Sequence, residues 1–209
     1  MNRFPLAPEG WPFVAVPAAI AAGLALVGRR GLAAPFAAAA LASLGFFRDP
    51  EREVTAVPGG VLAPADGRVI AVDELDDPFT GPAIRVAIFL SPLDVHVNRA
   101  PIAGLVAGVL YSQGRFVPAY RPEAGAGNER CMVHLQGDSA RVTVVQIAGV
   151  VARRIVCRVG PGDKLAVGER FGMIRFGSRT DCCMPRGTDV RVRVGDRVRG
   201  GVTLLGLSS

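Results

Sequence analysis

Two long apolar stretches near the N-terminus constrain this chain more than any other feature of its sequence. Trp11 to Val27 and Gly31 to Phe47 contain no charged residue, and only a Gly-Arg-Arg turn separates them. Each stretch is at the lower limit of the length that crosses a hydrocarbon core of roughly 30 Å as a helix. The pattern predicts an apolar helical hairpin over residues 1–47 that associates with a membrane, either by spanning it or by dipping into it.

The charges around the hairpin indicate its orientation. Arg3 precedes the first stretch, and Arg48 and Arg52 follow the second. Because cytoplasmic flanks carry an excess of basic residues, both ends are expected in the cytoplasm, although the arginine pair in the turn argues against this. A cleaved signal peptide ending in the small residues 40–43 is the alternative. Two apolar stretches favour a retained segment, which predicts a cell-membrane location with the globular part on the cytoplasmic side.

From Val54 onward, short β-type runs alternate with turn signals. No helical periodicity, internal repeat or low-complexity linker interrupts them. The sequence therefore predicts a mainly β fold, in which residues 48–209 form a single β-sandwich or barrel-like domain after the N-terminal apolar helical hairpin. The predicted strands are Arg68–Val72, Ile84–Leu90, Leu105–Tyr111, Arg141–Ile147, Arg153–Val159 and Asp189–Val194, the last with strict alternation of valines and charges.

Composition excludes several classes of function. The formal net charge is +6, but aromatic residues make up only 6% and no basic run is interleaved with them, so no nucleic-acid partner is expected and a lipid surface ranks higher. Lys164 is the single lysine among 24 basic residues, which disfavours a pyridoxal site or a biotinyl or lipoyl attachment. The four cysteines follow no metal-binding spacing, so no metal is expected, and no disulfide framework is indicated.

Met173 to Asp181 is the most informative stretch of the chain. Apolar, strand-like residues lead into Gly177, whose carbonyl carries no side chain to shield it, and Ser178 follows directly. A serine hydroxyl in this position can attack the preceding carbonyl and convert the amide into an ester. Taken alone, however, Gly-Ser is a common turn.

Five motifs, in the order in which they occur along the chain, resemble the phosphatidylserine decarboxylase family, in its short branch with a membrane hairpin. The resemblance extends from about Asp49 to the C-terminus. The motifs are Met173 to Asp181, Ala63-Pro64-Ala65-Asp66-Gly67, Asp94-Val95-His96-Val97-Asn98-Arg99-Ala100-Pro101, Asn128-Glu129-Arg130 and Gln146-Ile147-Ala148-Gly149.

The resemblance implies an activity and a cofactor. The chain is expected to cut itself between Gly177 and Ser178 into a β chain of residues 1–177 and an α chain of residues 178–209. Ser178 would become a pyruvoyl group that forms a Schiff base with the amine of phosphatidylserine and accepts the electrons left by carbon dioxide, yielding phosphatidylethanolamine. The fragments are expected to stay together as a heterodimer, with the number of such units left open.

Two further catalytic residues follow from the resemblance. Asp66, otherwise a typical turn residue, is expected to orient His96, and His96 is expected to act in self-cleavage and to protonate the decarboxylated carbon. The longer-chain branch has a second histidine where this chain has Arg99, so His96 either serves both steps or leaves one to another group. Arg153 and Arg154 are candidates for the lipid phosphate, and equally for a solvated face.

Other residues and other functions are weighed beside this hypothesis. Residues 128–130 are interpreted as a turn and His134 as a strand residue, without catalytic roles. A membrane-anchored serine protease using Asp66, His96 and Ser178 is one rival, although its usual G-x-S-x-G pattern is missing because Thr180 occupies the last place. A non-enzymatic, membrane-tethered β-barrel binding module is the other, suggested by the Gly195–Gly201 turn.

Overall fold

The computed structural model describes residues 5–121, 123–150, 154–175 and 178–208. It divides into two compact units, Met1–Glu51 and Arg52–Ser209.

The first unit is the helical hairpin that the apolar stretches predict. Helix α1 spans Trp11–Leu26 and helix α2 spans Arg30–Phe46, and the two pack against each other. Alanine-rich sequence favours helix, and Gly28, at a φ of 77°, takes the left-handed conformation that lets the chain turn between the helices. The stretch Pro8–Leu26 is long and apolar enough to cross a membrane, and it is almost entirely exposed.

Among the described residues of the second unit, the regular elements are a short helix, α3 (Ala124–Gly127), and fourteen strands. The mainly β prediction is therefore confirmed. The strands are β1 (Gly60–Leu62), β2 (Gly67–Asp77), β3 (Gly81–Leu90), β4 (Val97–Arg99), β5 (Gly104–Ser112), β6 (Arg130–Gln136), β7 (Arg141–Ala148), β8 (Ile155–Cys157), β9 (Lys164–Leu165), β10 (Arg170–Ile174), β11 (Ser178–Pro185), β12 (Asp189–Val190), β13 (Arg197–Val198) and β14 (Leu204–Leu207).

These strands form three antiparallel sheets. The largest has the order β13-β2-β3-β11-β7-β6-β5-β9, and the two smaller sheets have the orders β4-β10-β8 and β1-β14-β12. Strand β11 lies in the middle of the large sheet, hydrogen-bonded along its length to β3 and along most of it to β7. Apolar residues that alternate along the strands provide the core, which includes Val61, Val86, Ile88, Leu90, Val133, Leu135, Val142, Val144, Phe171, Met184 and Leu205.

Four of the six predicted strands coincide with β2, β3, β5 and β7, and a fifth shortens to β8. The prediction for Asp189–Val194 is wrong beyond Val190. Local turn contacts take over the backbone there, since Arg193 N donates to the Asp196 carboxylate at 3.0 Å and Gly195 N donates to Val69 O at 2.9 Å. Val194 is consequently 60% exposed instead of facing the core.

Candidate active site

Ser178 occupies the first position of the central strand. It pairs with Leu90 at the end of β3 and with Ala148 at the end of β7. Its side chain is fully buried, and among the described residues its Oγ makes no hydrogen bond. Gly177, the other half of the predicted cleavage site, lies outside the described residues. Ser178 is thus held from both sides by the sheet, with a hydroxyl that no described group restrains.

His96 lies between β3 and β4 and is also fully buried. Its Nδ1 is 2.9 Å from the backbone carbonyl oxygen of Asp94. A carbonyl can only accept, so Nδ1 carries the hydrogen in this contact, and in the neutral ring Nε2 keeps its lone pair. The structure therefore orients the imidazole with its basic nitrogen directed away from Asp94.

Hydrogen bonds link the segments of the chain that carry His96 and Ser178. Ile174 N, at the end of β10, donates to His96 O at 3.3 Å, and Ser178 follows Ile174 by only four residues. Asn98 and Thr180 each follow His96 and Ser178 by two residues, and Asn98 Nδ2 donates to Thr180 Oγ1 at 3.0 Å. Because side chains two residues apart on a strand share a face, Ser178 lies on the face of β11 that Thr180 presents to Asn98, and His96 directly precedes β4.

Asp66 has two described partners, and both are strong. Arg52 holds its carboxylate through two hydrogen bonds of 2.5 and 2.7 Å, and Gly200 N donates to Oδ1 at 2.8 Å. The side chains of this pair are mostly buried, at 9% and 15% exposed. The orienting contact between Asp66 and His96 stays a prediction.

The arginines singled out in the sequence differ in their surroundings. Arg99 is buried, and its Nη1 donates to the carbonyl of Gly168 at 3.2 Å. Arg154 is exposed, and Arg153 lies outside the described residues. Arg99, which takes the place of the second histidine, is thus built into the packing beside the Asp66 turn, whose Pro64 O accepts from Arg99 N at 2.9 Å.

A buried ion pair next to Ser178 was not foreseen from the sequence. Arg179 donates to both oxygens of Asp181 at 2.6 and 2.8 Å, and both side chains are buried. Burial raises the pKa of the Asp181 carboxyl, and the hydrogen bond from Arg179 opposes this shift. The signal for this pair was opposite charge at positions i and i+2, which share one face of a strand.

His134 lies on β6, as the sequence indicates, but in a more specific setting than a strand surface. Its Nδ1 is 3.0 Å from Thr143 Oγ1, which donates to Asp77 Oδ1 at 2.7 Å, and its ring lies tilted by 32° against the Phe79 ring, with 4.7 Å between centroids. Burial lowers the pKa of His134. This cluster ties β6 and β7 to the turn after β2, and Thr143 pairs with Cys183, five residues along β11 from Ser178.

Two thiols contact each other across two sheets. Cys131 pairs with Gln146 between β6 and β7, and Cys157 pairs with Gly172 between β8 and β10. A hydrogen bond between the two thiols lowers the pKa of Cys157 to about 7 and raises that of Cys131. Burial raises the pKa of Cys182 and Cys183.

Comparison with known proteins identifies the family. The profile described as Phosphatidylserine decarboxylase matches residues 40–206. A phosphatidylserine decarboxylase proenzyme of Nitrosomonas europaea is 46% identical over 202 residues, which cover 96% of this chain and 94% of that protein. Proteins of the same description from Burkholderia lata and Oleidesulfovibrio alaskensis are 43% and 45% identical over 96% of this chain, and over 94% and 93% of their own lengths.

A mainly β chain with this family match and these relatives is an enzyme of the carboxy-lyase class. The chain belongs to the phosphatidylserine decarboxylase family.

Proposed function

We propose that this protein converts phosphatidylserine to phosphatidylethanolamine and carbon dioxide after cutting itself between Gly177 and Ser178. The observation that carries the proposal is the placement of Ser178, which is buried at the head of the central strand with no described partner for its Oγ. Family membership supports the substrate. A protease acting on other proteins needs an accessible nucleophile, so the burial of Ser178 disfavours that alternative.

Self-cleavage proceeds through an ester. Oγ of Ser178 attacks the carbonyl carbon of Gly177, the C–N bond breaks, and the Ser178 nitrogen takes the proton. Loss of the α-proton then expels the Gly177 carboxylate, and water replaces the nitrogen, which leaves as ammonia. The products are a β chain of residues 1–177 and an α chain of residues 178–209 whose first residue is a pyruvoyl group.

Strand pairing supports a heterodimer of the two fragments after the cut. The α chain contributes β11, β13 and β14, which pair with β3 and β7, with β2, and with β1 of the β chain. These ladders do not depend on the bond between Gly177 and Ser178. The new N-terminus therefore stays fixed between Leu90 and Ala148, where Ser178 is now.

A pyruvoyl group fits this buried position, because conversion of Ser178 adds no bulk: the hydroxymethyl group becomes a methyl group, and a ketone oxygen replaces the backbone nitrogen. The pyruvoyl group supplies a carbonyl that holds the substrate amine covalently and accepts the electrons left by carbon dioxide. We assign to His96 Nε2 the removal of the Ser178 proton before cleavage and the protonation of the substrate carbon after decarboxylation. Asp66 is assigned to the orientation of His96 through its negative charge, because Nδ1 of His96 already donates to the backbone carbonyl of Asp94.

The N-terminal unit is proposed to hold the enzyme at the cell membrane, with the β unit on the cytoplasmic side. Pro8–Leu26 has the length and composition for this. Arg48 and Arg52 after the hairpin agree with cytoplasmic flanks.

Replacement of Ser178 by Ala tests the proposal directly. Intact-mass measurement of the purified wild-type protein should give two fragments divided after Gly177, the smaller one with a blocked, carbonyl-bearing first residue. Ser178→Ala should give one uncut chain without activity on phosphatidylserine, while Ser139→Ala, in an exposed turn between β6 and β7, should cleave as the wild type does. A Ser178→Ala protein that still splits or still decarboxylates would rule the mechanism out.

A further inference from the structure

Three fully buried polar side chains connect the small sheet β4-β10-β8 to the large sheet. Asn98 on β4 donates through Nδ2 to Thr180 Oγ1 on β11 at 3.0 Å. Gln146 on β7 donates through Nε2 to Asn98 Oδ1 at 2.8 Å and to the Val156 carbonyl of β8 at 3.4 Å. We call Asn98, Gln146 and Thr180 the inter-sheet network. It joins four strands, and none of its members is exposed.

Two members of the network lie two residues along the chain from the groups that are proposed to react. Ser178 precedes Thr180 by two residues on β11, and His96, directly before β4, precedes Asn98 by two residues. Asn98 pairs with Gly172 on β10, and Ile174, at the end of the same strand, donates its N–H to the carbonyl of His96. On β11, Thr180 contacts Asn98 through its hydroxyl. The network therefore links β4 and β11 two residues away from both His96 and Ser178.

Close packing around the network leaves little room for adjustment. A Cβ atom at Gly172 would lie 2.8 Å from Gln146 Nε2 and 2.4 Å from the Val156 carbonyl oxygen. Glycine at this position thus allows β10 to approach the network closely. Buried amides are costly unless hydrogen-bonded, and their bonds, unlike apolar contacts, have a fixed direction and length.

We propose that Asn98, Gln146 and Thr180 are positioning residues that set the separation and angle between His96 and Ser178. This inference rests on the proposed roles of His96 and Ser178. A misplacement of about 1 Å between reacting groups can lower a rate roughly 100-fold, whereas substrate binding depends on other contacts. Loss of the network should therefore slow self-cleavage and turnover and leave KM nearly unchanged.

Thr180→Val tests the proposal because valine has the shape of threonine without its hydroxyl. The time course of cleavage is followed by intact mass, and kcat and KM are measured on detergent-dispersed phosphatidylserine per cleaved, carbonyl-bearing molecule. We expect cleavage and kcat to fall 10- to 100-fold with KM within about twofold of the wild type. Thr180→Ser, which keeps the hydroxyl, should restore most of both rates.

Thr143→Val is the matched control. Thr143 is equally buried and hydrogen-bonded, on β7 beside β11, but it belongs to the His134 cluster and not to the inter-sheet network. It should lower thermal stability without lowering kcat per cleaved molecule. The proposal is overturned if Thr180→Val cleaves and turns over within twofold of the wild type, if Thr180→Ser is as slow as Thr180→Val, or if Thr143→Val shows the same kinetic loss. Activity in Ser178→Ala would instead refute the proposed function.

Discussion

The carboxylate of Asp66 is proposed to orient His96, but in the structure it is paired with Arg52. Bidentate arginine pairs are among the strong contacts of proteins, and this one is mostly buried. If the pair serves only to hold residue 52 against the turn after β1, removing either partner has the same effect. If Asp66 also supports the histidine, removing the carboxylate costs more than removing the guanidinium.

We therefore expect Asp66→Asn to slow self-cleavage at least tenfold more than Arg52→Gln, a difference of about 1.4 kcal/mol in activation free energy. The asparagine keeps an acceptor for Gly200 N but loses the negative charge that stabilises an imidazolium. Cleavage time courses of the two variants, corrected for the fraction folded, provide the measurement. Equal slowing in both variants would assign Asp66 to structure alone.

His134 makes stability depend on pH. Burial lowers its pKa below the ordinary 6.5, so the unfolded chain takes up a proton at a pH where the folded protein does not. The contribution of this site is complete above about pH 6.5 and is lost as the pH falls through the folded-state pKa. Asp77, close by through Thr143, acts in the opposite direction and is the weaker influence.

In thermal melts, the Tm of the wild type should consequently fall between pH 7 and pH 5 by more than that of His134→Gln. Glutamine offers a hydrogen bond to Thr143 but does not titrate. Comparison of both proteins at pH 7.5 serves as the control for the packing change itself. An equal fall in the two proteins would show that other groups cause the acid sensitivity.

Among the elements, the long strands with an apolar face could be predicted and the central strand could not. Strands β2, β3, β5 and β7 carry apolar residues bounded by turn signals, and this pattern is local. Strand β11 is buried on both faces although it contains Arg179 and Asp181. Hydropathy counts these as surface residues, because the pairing that allows their burial is visible only in three dimensions.

The candidate site divides along the same line. Ser178, His96 and Asp66 follow from family motifs, since their spacing of 30 or more residues carries no signal of proximity. Asn98, Gln146 and Thr180 stand inside the same motifs, but their contacts depend on how two sheets meet. Strand β4 is only three residues long, which is too short for an alternating hydrophobic pattern to predict it.

At the scale of the whole molecule, membrane access is proposed for the first unit and the chemistry for the second. Every strand of the three sheets lies between Gly60 and Leu207, and the described catalytic candidates lie there too. The hairpin α1 and α2 contributes no strand to these sheets. We therefore expect the β unit to fold and to cleave itself without the hairpin, whereas the apolar area that suits a bilayer belongs to the first unit.

A chain lacking residues 1–47 should accordingly cleave itself at the normal rate but decarboxylate phosphatidylserine in vesicles at least tenfold more slowly than the full-length protein. The basic residues that remain contribute only about 1 kcal/mol each near an anionic surface, and salt weakens this attraction. Short-chain phosphatidylserine dispersed in detergent should restore most of the rate, because the reacting headgroup no longer has to be reached at a bilayer.

Both proteins are to be compared on both substrates at low and at physiological salt, with the cleaved fraction measured by intact mass. The vesicle defect should widen as salt rises, since only the truncated enzyme relies on charge to reach the surface. If the truncated chain does not cleave itself, the hairpin takes part in folding the β unit. If it works equally well on vesicles, the β unit reaches the membrane unaided, and the proposed role of α1 and α2 is wrong.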